Sequence, residues 1–185
     1  MSCCGTEKNG CCASSGSQEV QIKPSHSRPL EVEFLYLDRT FCERCKGTEE
    51  ILKEAVQEAQ RILGPTGVDV SLKLIHVRSE AEALALRFIS SPTVRIMGRD
   101  AALDVKENEC KSCGELSGCD ISCRVWTWRG QEYSVPPKAL LLDAILRDSY
   151  LHPNVERLAP TELRNLPDNL KRFFRRVRAE EVDGS

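Results

Sequence analysis

The stretch L-E-V-E-F-L-Y-L-D-R-T-F-C-E-R-C-K-G-T, residues 30–48, decides the fold. Leu30 to Leu37 begins as an apolar/acidic alternation and ends apolar, the pattern of a strand whose far end is covered on both faces. Thr40 and Glu43 make a capping-box pattern, and Ile51, Leu52, Ala55, Val56, Ala59, Ile62 and Leu63 follow at helical spacing, predicting a helix from about 41 to 63. Cys42 and Cys45 therefore fall where strand passes into helix. At a helix start the orphan amides and the positive dipole end favour thiolate over thiol, so Cys42 is the expected nucleophile. Cys45 lies roughly one turn further along, placed to attack a mixed disulfide at Cys42, and is the expected resolving thiol. Arg44 adds cationic stabilisation there and Glu43 opposes it. Taken alone, the pair also reads as half of a zinc site.

Outward from this core, Gly64-Pro65-Thr66-Gly67 stops the helix and Val68 to Val77 alternates as a second strand. Ser79 to Glu82 repeats the capping-box pattern before a short helix whose apolar side is Leu84, Leu86, Phe88 and Ile89. Ser90-Ser91-Pro92 ends it, and Thr93 to Met97 returns as a strand. Val125 to Trp128 and Gln131 to Val135, joined by Arg129-Gly130, read as a hairpin. Pro136-Pro137-Lys138 opens a helix through Leu146. Beyond Tyr150, Thr161 and Asp168 look like caps. Leu170, Phe173, Phe174 and Val177 form an apolar stripe opposed by Lys171, Arg172, Arg175, Arg176 and Arg178, so the tail should form one or two amphipathic helices. The expected layout is a flexible, cysteine-bearing tail over residues 1–29, a domain over 30–148 with a cysteine-rich insertion at 104–124, and a helical extension over 149–185.

The order strand, C-x-x-C, helix, strand, helix, Ser91-Pro92-Thr93 with strand, hairpin strand, helix resembles the thioredoxin/glutaredoxin superfamily over roughly residues 30–148. That resemblance implies an α/β fold, a thioredoxin-like mixed sheet flanked by helices, and a cis Pro92 facing the dithiol, so Pro92 joins Cys42 and Cys45 as a catalytic candidate. More closely, F-C-E-R-C-K-G-T, S-S-P-T-V-R-I-M-G-R-D and C-R-V-W-T-W-R-G-Q-E-Y-S-V-P-P-K-A-L-L-L-D-A-I-L look like a prokaryotic family of thioredoxin-like proteins of unknown function. Those proteins also carry a cysteine-rich insertion and a cysteine-bearing N-terminus. Glu43-Arg44 between the cysteines departs from the Gly-Pro of thioredoxins and the Pro-Tyr of glutaredoxins.

The remaining cysteines suggest metal chemistry. Cys110, Cys113, Cys119 and Cys123 have the spacing C-x2-C-x5-C-x3-C, with Gly114 and Gly118 allowing tight turns. Four thiolates on a short polar loop suit tetrahedral zinc at about 2.3 Å per bond, and metal binding would fold a loop that has almost no apolar residues of its own. An iron–sulfur cluster, disulfides and a soft-metal relay are the other readings. Cys3-Cys4 and Cys11-Cys12 are vicinal pairs, which resist closing on themselves because an eight-membered ring strains the peptide between them. Two such pairs can wrap a soft ion such as Cu(I), Hg(II) or trivalent arsenic and pass it to Cys42 by ligand exchange. An ordinary tail with unused or redox-sensing thiols is the alternative. Trp126 and Trp128 share a strand face, and His76 is a sheet residue before it is a ligand.

Composition bounds the function. The 185-residue chain has 26 basic and 28 acidic side chains, a formal net charge of −2, which offers nucleic acid or anionic lipid no broad attraction. The N-terminus lacks a secretory signal and the longest aliphatic run is Ala139 to Leu142, so no membrane partner and a cytoplasmic location are expected. Ten cysteines in a reducing compartment point to redox or metal chemistry instead of a disulfide scaffold. The leading expectation is thiol–disulfide exchange by Cys42 and Cys45 with a protein disulfide or small thiol as partner and no cofactor for the redox step. Handling of Hg, As or Cu would be linked to it. The alternatives are a non-catalytic metal carrier whose cysteines are ligands, and a scaffold whose cysteines are structural.

Overall fold

Strand β1 (Arg28–Tyr36) puts Leu30, Val32, Phe34 and Tyr36 on one face and Leu35 on the other, all buried, as its apolar ending requires. It belongs to a computed structural model that describes residues 27–40, 42–102, 104–110, 121–152, 158 and 163–183. Helix α1 (Glu43–Leu63) follows and buries Leu52, Ala55, Val56, Ala59 and Leu63 along one stripe, while Ile62 of the same apolar set turns to solvent. A single 3-10 turn at Gly64–Thr66 ends it, and β2 (Val68–His76) pairs with β1 in parallel. Helix α2 (Glu80–Ala85) is capped by Ser79, whose side chain accepts from the Glu82 amide. The Glu82 carboxylate reaches back to the Arg78 amide, one residue earlier than an ideal capping box.

Strand β3 (Thr93–Ile96) runs antiparallel to β1 and turns at Met97-Gly98 into β4 (Arg99–Asp100). The sheet order is β2-β1-β3-β4, a mixed sheet. Strands β5 (Lys106–Glu109), β6 (Ser122–Trp128) and β7 (Gln131–Tyr133) form a second, three-stranded antiparallel sheet. Helices α3 (Lys138–Leu151) and α4 (Asp168–Asp183) complete the chain. The fold class expected from the sequence, an α/β mixed sheet flanked by helices with a helical C-terminal element, is the one observed.

Side-chain direction on β3 places the layers. Arg95 donates to the carbonyls of Leu86 and Arg87 at the end of α2, whereas its neighbour Ile96 lines a small cavity with Ala144 and Asp148 of α3. Successive side chains leave a strand on opposite sides, so α2 and α3 cover opposite faces of the mixed sheet. Helix α1 packs on α3 and on β2. Leu170, Phe173 and Phe174 of α4 lie in the same buried cluster as Phe34 and Leu52, so the helical extension contributes to the core.

Several expectations need correction. The hairpin around Arg129-Gly130 forms, with both residues at positive φ as a tight two-residue turn demands. Its first strand, however, pairs with β5, and neither strand pairs with β3. The fourth strand of the main sheet is Arg99–Asp100, too short and polar to be read as a strand. The short helix after Ser79 ends at Ala85, with Arg87 at φ 52, so Phe88 is buried from a loop and not from the helix. Asp168 stands inside the first turn of α4 and not before it, while Thr161 lies outside the described residues.

Gly98 has φ +81, and a Cβ there would collide with the Leu158 carbonyl oxygen, a backbone atom. Leu158 in turn donates its amide to the Met97 carbonyl at 3.0 Å, so the C-terminal extension seats on this turn. The left-handed conformation alone costs a non-glycine residue about 1–2 kcal/mol. Gly98→Ala should therefore lower Tm by at least ~2 °C in a thermal melt; an unchanged Tm would contradict this seating.

Candidate metal centre

Cys42 is the N-cap of α1, with φ −78 and ψ 103, and its carbonyl accepts the first helical bond from Lys46 at 3.0 Å. The helix entrance predicted for this sulfur is thus where it sits. The capping residue differs from expectation: no side chain caps α1, and Asp38, not Thr40, organises the approach. Its Oδ1 accepts from the Thr40 amide at 2.8 Å and the Cys42 amide at 3.4 Å. The positive end of the α1 dipole favours an anion at Cys42.

The sequence reading kept Cys42 apart from the inserted cysteines; the structure brings them together. The Sγ atoms of Cys42, Cys110 and Cys123 all lie within 4.8 Å of one another, and the three residues are buried at 1%, 3% and 0% exposure. Register explains the pairing of the last two. Asn108 stands opposite Cys123 across β5 and β6, and the Cys110 amide donates to the Ile121 carbonyl at 2.8 Å, continuing the ladder. Residues 108 and 110 share a face with their partners 123 and 121, so Cys110 and Cys123 project to the same side as diagonal neighbours. That side meets the start of α1.

Arg44 fixes the meeting. Its guanidinium donates to Asn108 Oδ1 at 2.6 Å, to the Glu109 carbonyl at 2.9 Å and to the Cys123 carbonyl at 3.3 Å. Arg44 thus clamps the helix start to β5 and β6, beside the other two sulfurs. From the far side, the Asn169 side-chain amide of α4 pairs with the Ser122 backbone, accepting from its amide at 3.0 Å and donating to its carbonyl at 2.7 Å. Arg124 is fully buried and forks onto Asp100 at 2.8 and 2.9 Å, and its amide donates to the Ser91 carbonyl at 2.7 Å. Asn169, Asp100 and Arg124 escaped the sequence reading, because nothing in their spacing marks them as neighbours of a cysteine.

Cys45 is wholly buried on the inner side of Cys42, with Ser91 Oγ 3.5 Å from its sulfur. Its thiol is pushed well above the ordinary value, first by a hydrogen bond with Cys42, then by burial and the charge of a Cys42 thiolate; hydrogen bonds from Ser91 and the Asp38 backbone oppose the shift. The Ser91–Pro92 bond is cis, as the resemblance implies, and opens β3. All four cysteines among the described residues are thiols, not disulfides. Cys3, Cys4, Cys11, Cys12, Cys113 and Cys119 lie outside the described residues. His76 stacks on Tyr36 at 5.3 Å and bonds the Leu37 carbonyl through Nε2, a sheet residue as expected.

Three buried sulfurs converging from a helix N-cap and two paired strands could hold a metal ion. Thiolates suit soft or borderline ions, and neighbouring sulfurs at this separation can bind one centre without moving far. No helix among the described residues is long and apolar enough to cross a membrane. Residues 30–145 match the model of a domain of unknown function, DUF2703, and the chain belongs to that family. No curated protein and no solved structure matches it.

Proposed function

We propose that this member of the DUF2703 family binds a thiophilic metal or metalloid ion through Cys42, Cys110 and Cys123. The single observation behind the reading is the convergence of the three sulfurs within 4.8 Å in a buried setting. Zn(II), Cu(I), Hg(II) and trivalent arsenic all accept thiolate donors, and the last forms three bonds to sulfur without needing a fourth ligand. The helix N-terminus at Cys42 supports the site by favouring negative charge where the thiolates gather. In the test, full-length protein with Cys3, Cys4, Cys11 and Cys12 changed to Ser is titrated without oxygen with Zn²⁺ and with arsenite. One ion per chain is expected, with Cys42, Cys110 and Cys123 all protected from alkylation. A bound ion that leaves any of the three as reactive as before would overturn the assignment.

Thiol–disulfide exchange by Cys42 and Cys45 is the second reading. It is favoured by the placement of both cysteines at the start of α1 and by the raised Cys45 thiol, whose first cause is its interaction with Cys42. The strand order β2-β1-β3-β4, parallel across α1 and antiparallel thereafter, supports a thioredoxin-like scaffold for this chemistry. Burial argues against a folded protein as the oxidised partner, since attack needs access to a sulfur that is only 1% exposed.

A further inference from the structure

Cys42 belongs to two sulfur groups at once. It is one corner of the trithiol with Cys110 and Cys123, and it caps the helix whose first turn carries Cys45. A sulfur joined to Cys45 in a disulfide is no longer a thiolate donor, so the two groups compete for one atom. We propose that the protein couples release of its ion to reduction of a small-molecule disulfide, with Cys42 moving from the ion to Cys45. This rests on the ion-binding reading above and adds an activity to it.

The chemistry balances in two steps. The Cys42 sulfur leaves the ion and attacks one sulfur of the disulfide RSSR, forming the mixed disulfide Cys42–S–S–R and expelling RS⁻. Cys45 then loses its proton and attacks the Cys42 sulfur; the Cys42–Cys45 bond forms, the second RS⁻ leaves, and the proton passes to the thiolate released. Two electrons go from the protein dithiol to RSSR, and the ion keeps its oxidation state. It is left with Cys110 and Cys123, one donor short.

Burial sets the substrate class. Cys42 is enclosed by Cys110, Cys123 and the strands that Arg44 clamps over α1, and Cys45 lies deeper still at 0% exposure. A flexible disulfide of low molecular weight can enter where the loop of a folded protein cannot. Cys42, at the helix cap, makes the first attack, and Cys45, in the first turn behind it, is the resolving sulfur.

The experiment uses the full-length reduced protein with the four N-terminal cysteines changed to Ser, loaded with Zn²⁺ and set in buffers of fixed 2-mercaptoethanol and hydroxyethyl disulfide ratio. A chelating dye reads free zinc, and peptide mass mapping reads the disulfides. Zinc should appear in step with a Cys42–Cys45 disulfide. Cys45→Ser and Cys45→Ala should each hold the ion to a disulfide:thiol ratio at least ~10-fold higher, because the remaining neighbours of Cys42, Cys110 and Cys123, are engaged by the ion and leave only a reversible mixed disulfide. A Cys42–Cys45 disulfide that coexists with bound zinc would overturn the coupling, as would Cys45 variants that discharge at the wild-type ratio. If the reduced protein fails to hold zinc on the three sulfurs before any disulfide is added, the ion-binding reading fails first and takes the coupling with it.

Discussion

Asp100→Asn should lower stability by about 3–5 kcal/mol, because it strands a buried guanidinium without its counter-charge. Arg124 is 0% exposed while Asp100 retains 30%, so the two ends of this ion pair are unequal. Both carboxylate oxygens accept from the Arg124 fork, which also meets Thr93 Oγ1 at 3.2 Å, the Ala102 carbonyl at 3.3 Å, the Asp104 carbonyl at 3.5 Å and the Trp126 ring at 4.9 Å. None of these supplies a negative charge. Arg124→Met should cost less than Asp100→Asn: it removes the buried charge together with its need for a partner, and the carboxylate left behind can hydrate. Urea unfolding with an unchanged m-value is the measurement. An Asp100→Asn protein within ~1 kcal/mol of wild type, or an Arg124→Met protein that is the weaker of the two, would contradict the account. Because Arg124 follows Cys123 and its amide is held by Ser91, Asp100→Asn should also weaken ion binding well below the unfolding transition.

Much of the fold was legible because it is written in local periodicity. The alternation in β1 and β2, the helical spacing from Ile51 to Leu63 and the stripe Leu170, Phe173, Phe174 each gave the right element. The placement of Cys42 at a helix entrance was legible for the same reason. What stayed hidden depended on contacts between distant segments. Arg99–Asp100 is a strand only because β3 offers it an edge and Arg124 holds its carboxylate. The inserted cysteines were read as a closed group of their own, since spacing reports which sulfurs lie near one another in sequence. Their convergence on Cys42 is set by the seating of the second sheet against α1, and that seating turns on Arg44 donating to backbone carbonyls, which any residue possesses. No pattern in the sequence could have shown it.

Cys110→Ser and Cys123→Ser should each cut affinity for zinc by about 100-fold or more. Structural zinc sites with four ligands bind with about 10–16 kcal/mol at neutral pH, so one thiolate carries roughly 3 kcal/mol, and 1.4 kcal/mol is tenfold. A serine hydroxyl does not ionise near neutrality and replaces the lost donor poorly. Cys45→Ser should leave affinity nearly unchanged under reducing conditions, since Cys45 lies outside the three-sulfur group. Arg44→Lys should fall between: an ammonium cannot reach Asn108 and the Glu109 carbonyl together as the planar fork does, and loosening a ligand's support typically costs about 10- to 100-fold. Affinity should rise with pH in every variant that keeps the site, because binding displaces protons from the thiols. Competition titrations against a chelator of known affinity, with thiols kept reduced, would rank the set. If Cys45→Ser proves far more damaging than Cys110→Ser and Cys123→Ser, the ligands are the C-x-x-C pair, and the inserted strands serve only to cover it.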